Sequence, residues 1–177
     1  MVGSRAIAAL RAAPALLVLV AGCHSRDTGG DERQPLRLDA TVVFPPRDTI
    51  RFSLPATTHR CSDGRTILLE GIIPEGNGVL VLLHFRDSLV AGSYPVVVPG
   101  DTTAPGAVVA VRYLLRDAPR AFFFDSGAVR MRRERDRISG RADGSGVETG
   151  IRTPTHIQYH DVALPPRSDT VPCTFQP

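Results

Sequence analysis

The chain has 177 residues, and its 21 basic residues, all arginine, outnumber 18 acidic ones. Arg5 and Arg11 belong to the first 22 residues, which leaves 19 basic residues against 18 acidic ones, so the high isoelectric point does not argue for nucleic acid, and none is expected as a partner. With 16 Gly and 15 Pro the sequence is broken too often for long amphipathic helices, and the chain beyond the opening segment amounts to one domain.

Residues Met1 to Gly22 run from a basic opening, Arg5 and Arg11, through an apolar stretch to a small-residue end at Ala21-Gly22. That order is the order of an export signal. The apolar stretch from Ala12 to Gly22 rises about 16 Å as a helix, roughly half the hydrocarbon core, and is too short to span it. Its end, Val20-Ala21-Gly22-Cys23, resembles the lipobox of bacterial lipoproteins, and the resemblance covers residues 1–23. It implies a diacylglyceryl thioether on Cys23, cleavage just before that residue and acylation of the new amino terminus. Two or three acyl chains exceed the reversible regime of a single chain, at about 0.8 kcal/mol per buried methylene, so attachment is expected to be permanent in practice. His24 stands where the enteric sorting rule reads Asp as a retention signal. The resemblance therefore implies the outer membrane, facing the periplasm, with the inner membrane or the cell surface as alternatives. Residues 23–35 then form a lipidated polar tether that reaches about 20 Å as a random coil.

With Cys23 consumed, Cys61 and Cys173 are left as a pair. In an oxidising envelope compartment two such thiols in a small exported domain are expected to bond. The bridge would close a loop of about 113 residues, worth roughly 4–5 kcal/mol on the chain-entropy model. Two free thiols or a redox pair remain the alternatives, although no C-x-x-C is present.

Residues 36–177 read as a single all-β domain. Short β-rich runs lie between turn signals: Leu36 to Phe44, Thr49 to Leu54, Arg65 to Ile72, Val79 to Phe85, Tyr94 to Val98, Val108 to Leu115, Arg120 to Phe124, Ala128 to Arg133, Arg137 to Ala142, His156 to Leu164 and Thr170 to Phe175. One strand per eight to twelve residues, roughly, predicts an antiparallel β-sandwich, with an incompletely closed barrel as the alternative. Asp63-Gly64 and Glu75-Gly76-Asn77-Gly78 suit tight turns, while Pro45-Pro46 and Pro165-Pro166 stop pairing. The unalternating Val79 to Leu83 predicts a central strand covered on both faces. Val108 to Leu115 is the one place where a helix competes, and its valines favour a strand. Gly92-Ser93-Tyr94, Phe122 to Phe124, Ser126-Gly127-Ala128-Val129 and Ile138-Ser139-Gly140 together resemble the meandering β domains of small uncharacterised bacterial lipoproteins, a resemblance that implies no activity.

Catalytic and metal constellations are weak. No Gly-x-Ser-x-Gly elbow occurs, and Asp143-Gly144-Ser145-Gly146 reads as a hairpin loop. Ser62, Asp63 and His59 have the residue types of a triad, but neighbours on a strand point to opposite faces. His156 and His160 share a face of a strand yet sit too far apart for one ion. Asp143, Ser145 and Glu148 lack the acidic pattern of a calcium loop. No catalytic residue, metal or cofactor is therefore assigned. The most distinctive surface feature is the run Arg130, Arg132, Arg133, Arg135 and Arg137 at a predicted hairpin tip, suited to bidentate contact with lipid phosphates or an anionic glycan. The competing reading is a solvated tip whose interleaved acids pair with the arginines. The sequence thus points to a lipid-anchored envelope protein that binds a protein or glycan partner, or plays a structural role, without catalysis. A carrier of a small apolar ligand, its cavity lined by Phe122 to Phe124, is the second hypothesis, and a hydrolase or metal enzyme the third.

Overall fold

A computed structural model describes residues 37–173. The segments expected to be an export signal and a tether, with Cys23, Leu36 and Phe175, lie outside the described residues. Twelve strands follow one another in chain order: β1 (Arg37–Phe44), β2 (Asp48–Pro55), β3 (Thr57–Cys61), β4 (Thr66–Ile72), β5 (Gly78–His84), β6 (Gly92–Pro95), β7 (Gly106–Leu115), β8 (Ala118–Phe123), β9 (Ser126–Glu134), β10 (Arg137–Glu148), β11 (Ile151–Ala163) and β12 (Thr170–Val171). They form two six-stranded sheets, ordered β2-β1-β11-β10-β9-β6 and β12-β3-β4-β5-β7-β8. Neither sheet closes on itself, so the expected sandwich is the architecture and the barrel is not. The first sheet is antiparallel throughout, and in the second the short β12 joins β3 in parallel.

Period-two alternation decides which side chains the sheets bury between them. Leu38, Ala40 and Val42 of β1, Val129 and Met131 of β9, and Ile157 and Tyr159 of β11 meet Ile67 and Leu69 of β4, Val81 and Leu83 of β5, and Val109 and Val111 of β7. Each such side chain removed from water contributes about 1.5–3 kcal/mol before conformational entropy is subtracted. β5 lies between β4 and β7, and both of its faces are covered, as its unbroken apolar run predicts. Its outward Leu82 packs with Val108 and Cys61, beneath the Cys61–Cys173 bridge, whose S–S distance is 2.05 Å. Phe122 and Phe124 stack with centroids 6.1 Å apart, and Tyr113 meets Phe122 edge-on, so these rings fill the core.

Two local expectations need correction. Thr57–Cys61 is a strand that the sequence pattern does not announce, because Thr57, Thr58, His59 and Arg60 carry no apolar alternation. It is held by its ladder to β4 and by the hydroxyl of Thr58, which donates to the Ala163 carbonyl. Asp143-Gly144-Ser145-Gly146 is not a loop: β10 runs on to Glu148, and the reversal falls at Thr149 and Gly150, both in the left-handed region. The glycines serve close packing, since a Cβ at 144 would strike the Phe124 ring and one at 146 the Phe122 ring. Along this strand Asp143 and Ser145 face solvent while Glu148 turns inward to Arg120, 3.1 Å away, so the three carry their oxygens to opposite faces.

Candidate functional site

The arginine run occupies the end of β9, the tip at Arg135 and Asp136, and the start of β10. Alternation turns Val129 and Met131 into the core and leaves Arg130 and Arg132 on the outer face. Arg133 donates from Nη1 to the Leu89 carbonyl at 2.7 Å and from Nε to the Arg135 carbonyl at 3.0 Å. Arg137 donates from Nη1 to the Asp161 carbonyl at 2.6 Å and to its carboxylate at 2.9 Å. Arg130 pairs with Asp143 at 3.4 Å. Among the described residues the acids that pair with the run are Asp143 and Asp161, from neighbouring strands, and not the interleaved Glu134 and Asp136. Arg132 and Arg135 have no side-chain partner among the described residues.

The outer face of the first sheet extends this cluster. Arg141 stands directly opposite Arg130 in the ladder, and Asp143 lies between them, 3.1 Å from Arg141 Nε, while His156 Nδ1 sits 2.9 Å from its other oxygen. On β1, Arg37 pairs with Asp39 at 2.8 Å, and on β2 Arg51 points outward without a partner among the described residues. At the far end Arg152 holds Asp125 with both terminal nitrogens, at 2.7 and 3.0 Å, and these hydrogen bonds keep the carboxyl below its ordinary value. Exposed pairs of this kind contribute about 0–1 kcal/mol each, so they add little to stability. What they leave is a polar face on which guanidinium groups exceed carboxylates. Alternation in each strand turned these arginines outward. That Arg37, Arg51, Arg141 and Arg152 share a face with Arg130 and Arg132 depends on strand order, which no single segment carries.

A second site lies at the other sheet. Thr66, opening β4, pairs in register with His84, closing β5. The turn before β4 places Gly64 in the left-handed region and brings Asp63 back to receive the Arg65 amide at 2.9 Å and the Thr66 hydroxyl at 2.6 Å. His84 Nδ1 is 3.0 Å from the same hydroxyl oxygen, and the residue is 7% exposed. Burial lowers the His84 pKa, against the pull of Asp63 and Asp101. The Thr66 hydroxyl donates to Asp63, so a proton on His84 Nδ1 would complete the chain by donating to Thr66. These groups face a cleft of about 320 Å³ bounded by the disulfide, Leu82, Val108 and Asp101. An adjoining recess of about 560 Å³ shares Asp63, Thr66 and His84 and is rimmed by Arg65, Arg86 and Asp87.

No motif in the sequence announces this constellation. The linear order groups Asp63 with His59, whose Nε2 in fact meets Glu70 at 3.3 Å, whereas the histidine beside Asp63 is reached only through the β4–β5 register. The other histidines singled out, His156 and His160, lie on the outer face of β11, where Asp143 engages His156. The chain matches no protein-family model, no curated protein and no solved structure.

Proposed function

We propose that the protein is a lipid-anchored envelope protein without catalytic activity, held through Cys23, whose arginine-rich sheet face rests against anionic lipid headgroups of the membrane that carries the anchor. The observation that carries this reading is the excess of guanidinium over carboxylate on the outer face of β2-β1-β11-β10-β9. Planar guanidinium groups bind phosphate oxygens bidentately, and each arginine near an anionic surface adds about 1 kcal/mol. The polar tether joins the domain at Arg37, on that same sheet, so the anchor keeps the face within reach of the bilayer at high effective concentration. Phe124 is 1% exposed in the core, and Phe122 stacks on it while bordering an apolar recess of about 290 Å³ with Phe123, Leu80 and Ile72.

Two measurements test it. Intact mass of the protein isolated from its host should show a chain beginning at Cys23 and carrying a diacylglyceryl thioether. An unmodified sulfur there removes the anchor. Separately, residues 24–177 should sediment with vesicles containing phosphatidylglycerol and not with pure phosphatidylcholine, and less so as salt rises. The pair Arg51→Ala and Arg132→Ala, which breaks no contact within the described fold, is expected to weaken that binding by about 2 kcal/mol, or roughly thirtyfold. Equal binding to neutral vesicles, or binding to anionic glycan alone, would overturn the lipid assignment.

A further inference from the structure

We infer that the mouth between the two sheets binds the dianionic phosphate of a monoester, held by the guanidinium groups of Arg60, Arg133 and Arg167. The site takes Arg133 from the arginine run, but it lies between the sheets and does not rest on the lipid reading. Directly opposite residues of paired strands project to the same face of a sheet. Arg60 stands opposite Ile67 in the β3–β4 ladder, and Arg133 stands opposite Ile138 in the β9–β10 ladder. Both isoleucines are core residues, at 0% and 1% exposure, so the two arginines turn from opposite sheets toward the space between them. Both line a cleft of about 380 Å³, to which the loop before β12 adds Arg167. Three guanidinium groups there face one carboxylate, that of Asp87, so positive charge exceeds negative by two.

Arg60 supplies an independent observation. Its Nε is a buried atom with no hydrogen-bond partner, and its terminal nitrogens engage no group among the described residues. A guanidinium keeps its charge at any ordinary pH, so it cannot relieve the cost of desolvation by losing a proton. The fold treats its other core-facing arginine differently: Arg120, opposite the buried Tyr113, has the Glu148 carboxylate 3.1 Å away. Arg60 has no such acid, which makes it a position that an incoming anion completes. Arg133 is fixed by Nε and Nη1 on the Arg135 and Leu89 carbonyls, which leaves Nη2 for a ligand. A phosphate monoester has three terminal oxygens and two negative charges, so it matches three guanidinium groups that arrive from β3, β9 and the loop before β12. A carboxylate or a phosphodiester brings two such oxygens and a single charge. Phe85, Leu89 and Leu164 add an apolar side to the lining, which suits a short hydrocarbon body behind the phosphate.

The test uses the disulfide-bonded chain at about pH 7.5, where a phosphate monoester is mostly dianionic. The Arg60 and Ser88 amides are followed by NMR during titration with butyl phosphate, diethyl phosphate and butyrate. Butyl phosphate is expected to saturate with a dissociation constant on the order of 0.1 mM, and the two monoanions to bind at least about tenfold more weakly. Arg60→Met, which removes a charge that has no partner in the fold, should weaken butyl phosphate binding at least about tenfold. Arg167→Ala, at an exposed side chain, should weaken it at least about fivefold, and it decides the matter if the first variant fails to fold. Arg116→Ala removes one positive charge outside the cleft and should leave binding within about twofold of the parent. Dihexanoyl phosphatidic acid carries the same monoester on a lipid and distinguishes the source. Tighter binding than butyl phosphate assigns the site to a membrane headgroup, and equal or weaker binding assigns it to free phosphate esters. Diethyl phosphate binding as tightly as butyl phosphate, or an affinity that Arg167→Ala leaves unchanged, refutes the site.

Discussion

Replacing Cys61 and Cys173 together by alanine is expected to lower the free energy of unfolding by about 4–5 kcal/mol, the largest effect of any pair of substitutions outside the core. The bridge spans 112 positions, and a cross-link across so long a loop removes more freedom from the unfolded chain than a short one does. Against a typical net stability of about 5–15 kcal/mol, that loss is a large share of the total. The native state has a stake as well. The bridge ties the end of β3 to the segment after β12 and packs with Leu82 and Val108 on the outside of the second sheet. Urea unfolding, read by circular dichroism, of the oxidised protein, the reduced protein and the double variant separates the two contributions. Reduction leaves the sulfur atoms in place, so it should reproduce most of the loss. A midpoint unmoved by reduction would mean that the cross-link does not stabilise the fold.

Gly140→Ala is expected to cost about 3 kcal/mol, at the upper end for overpacking. Gly140 lies beside a register shift in the β10–β11 ladder but not in the left-handed region, so the cost comes from space. A Cβ would overlap the Arg130 carbonyl oxygen, which belongs to the β9–β10 region, and the hydroxyl end of Tyr159, which is fully buried against this glycine. The tyrosine has nowhere to withdraw, being enclosed between the sheets, and the carbonyl belongs to the backbone of the neighbouring strand. Gly92→Ala is the matched control. No atom lies within 4 Å of a Cβ built at Gly92, so that substitution should stay within about 0.5 kcal/mol of the parent in the same thermal or chemical melt. Equal effects at the two positions would show that loss of glycine in itself, rather than the contact with Tyr159 and Arg130, sets the cost. The Ile138-Ser139-Gly140 pattern in the sequence thus has a packing reason, which lies on a different strand.

Much of the fold was legible because the instructions for a half-buried strand are local. Leu38, Ala40 and Val42 alternate with polar neighbours within a few residues, Val79 to Leu83 do not alternate, and Pro45-Pro46 ends pairing wherever it occurs. The pairing of Cys61 with Cys173 was legible for a different reason, as the two thiols left once Cys23 is assigned to the lipid. Strand Thr57–Cys61 was not legible, since its stability comes from the ladder to β4 and not from its own composition. Gly144 and Gly146 carry the signature of a turn, but here they make room for Phe122 and Phe124, and the two uses of glycine look the same in a linear chain.

By itself the sequence determined the β class, the run of strands and the resemblance of its first 23 residues to a lipoprotein signal. The tertiary structure alone decided which strands are neighbours: β1 beside β11, β6 beside β9, and Thr66 opposite His84. Both sites depend on those decisions. Alternation says only that a side chain faces in or out, whereas the company it keeps is chosen by packing between segments far apart in the chain, where no local pattern records the choice.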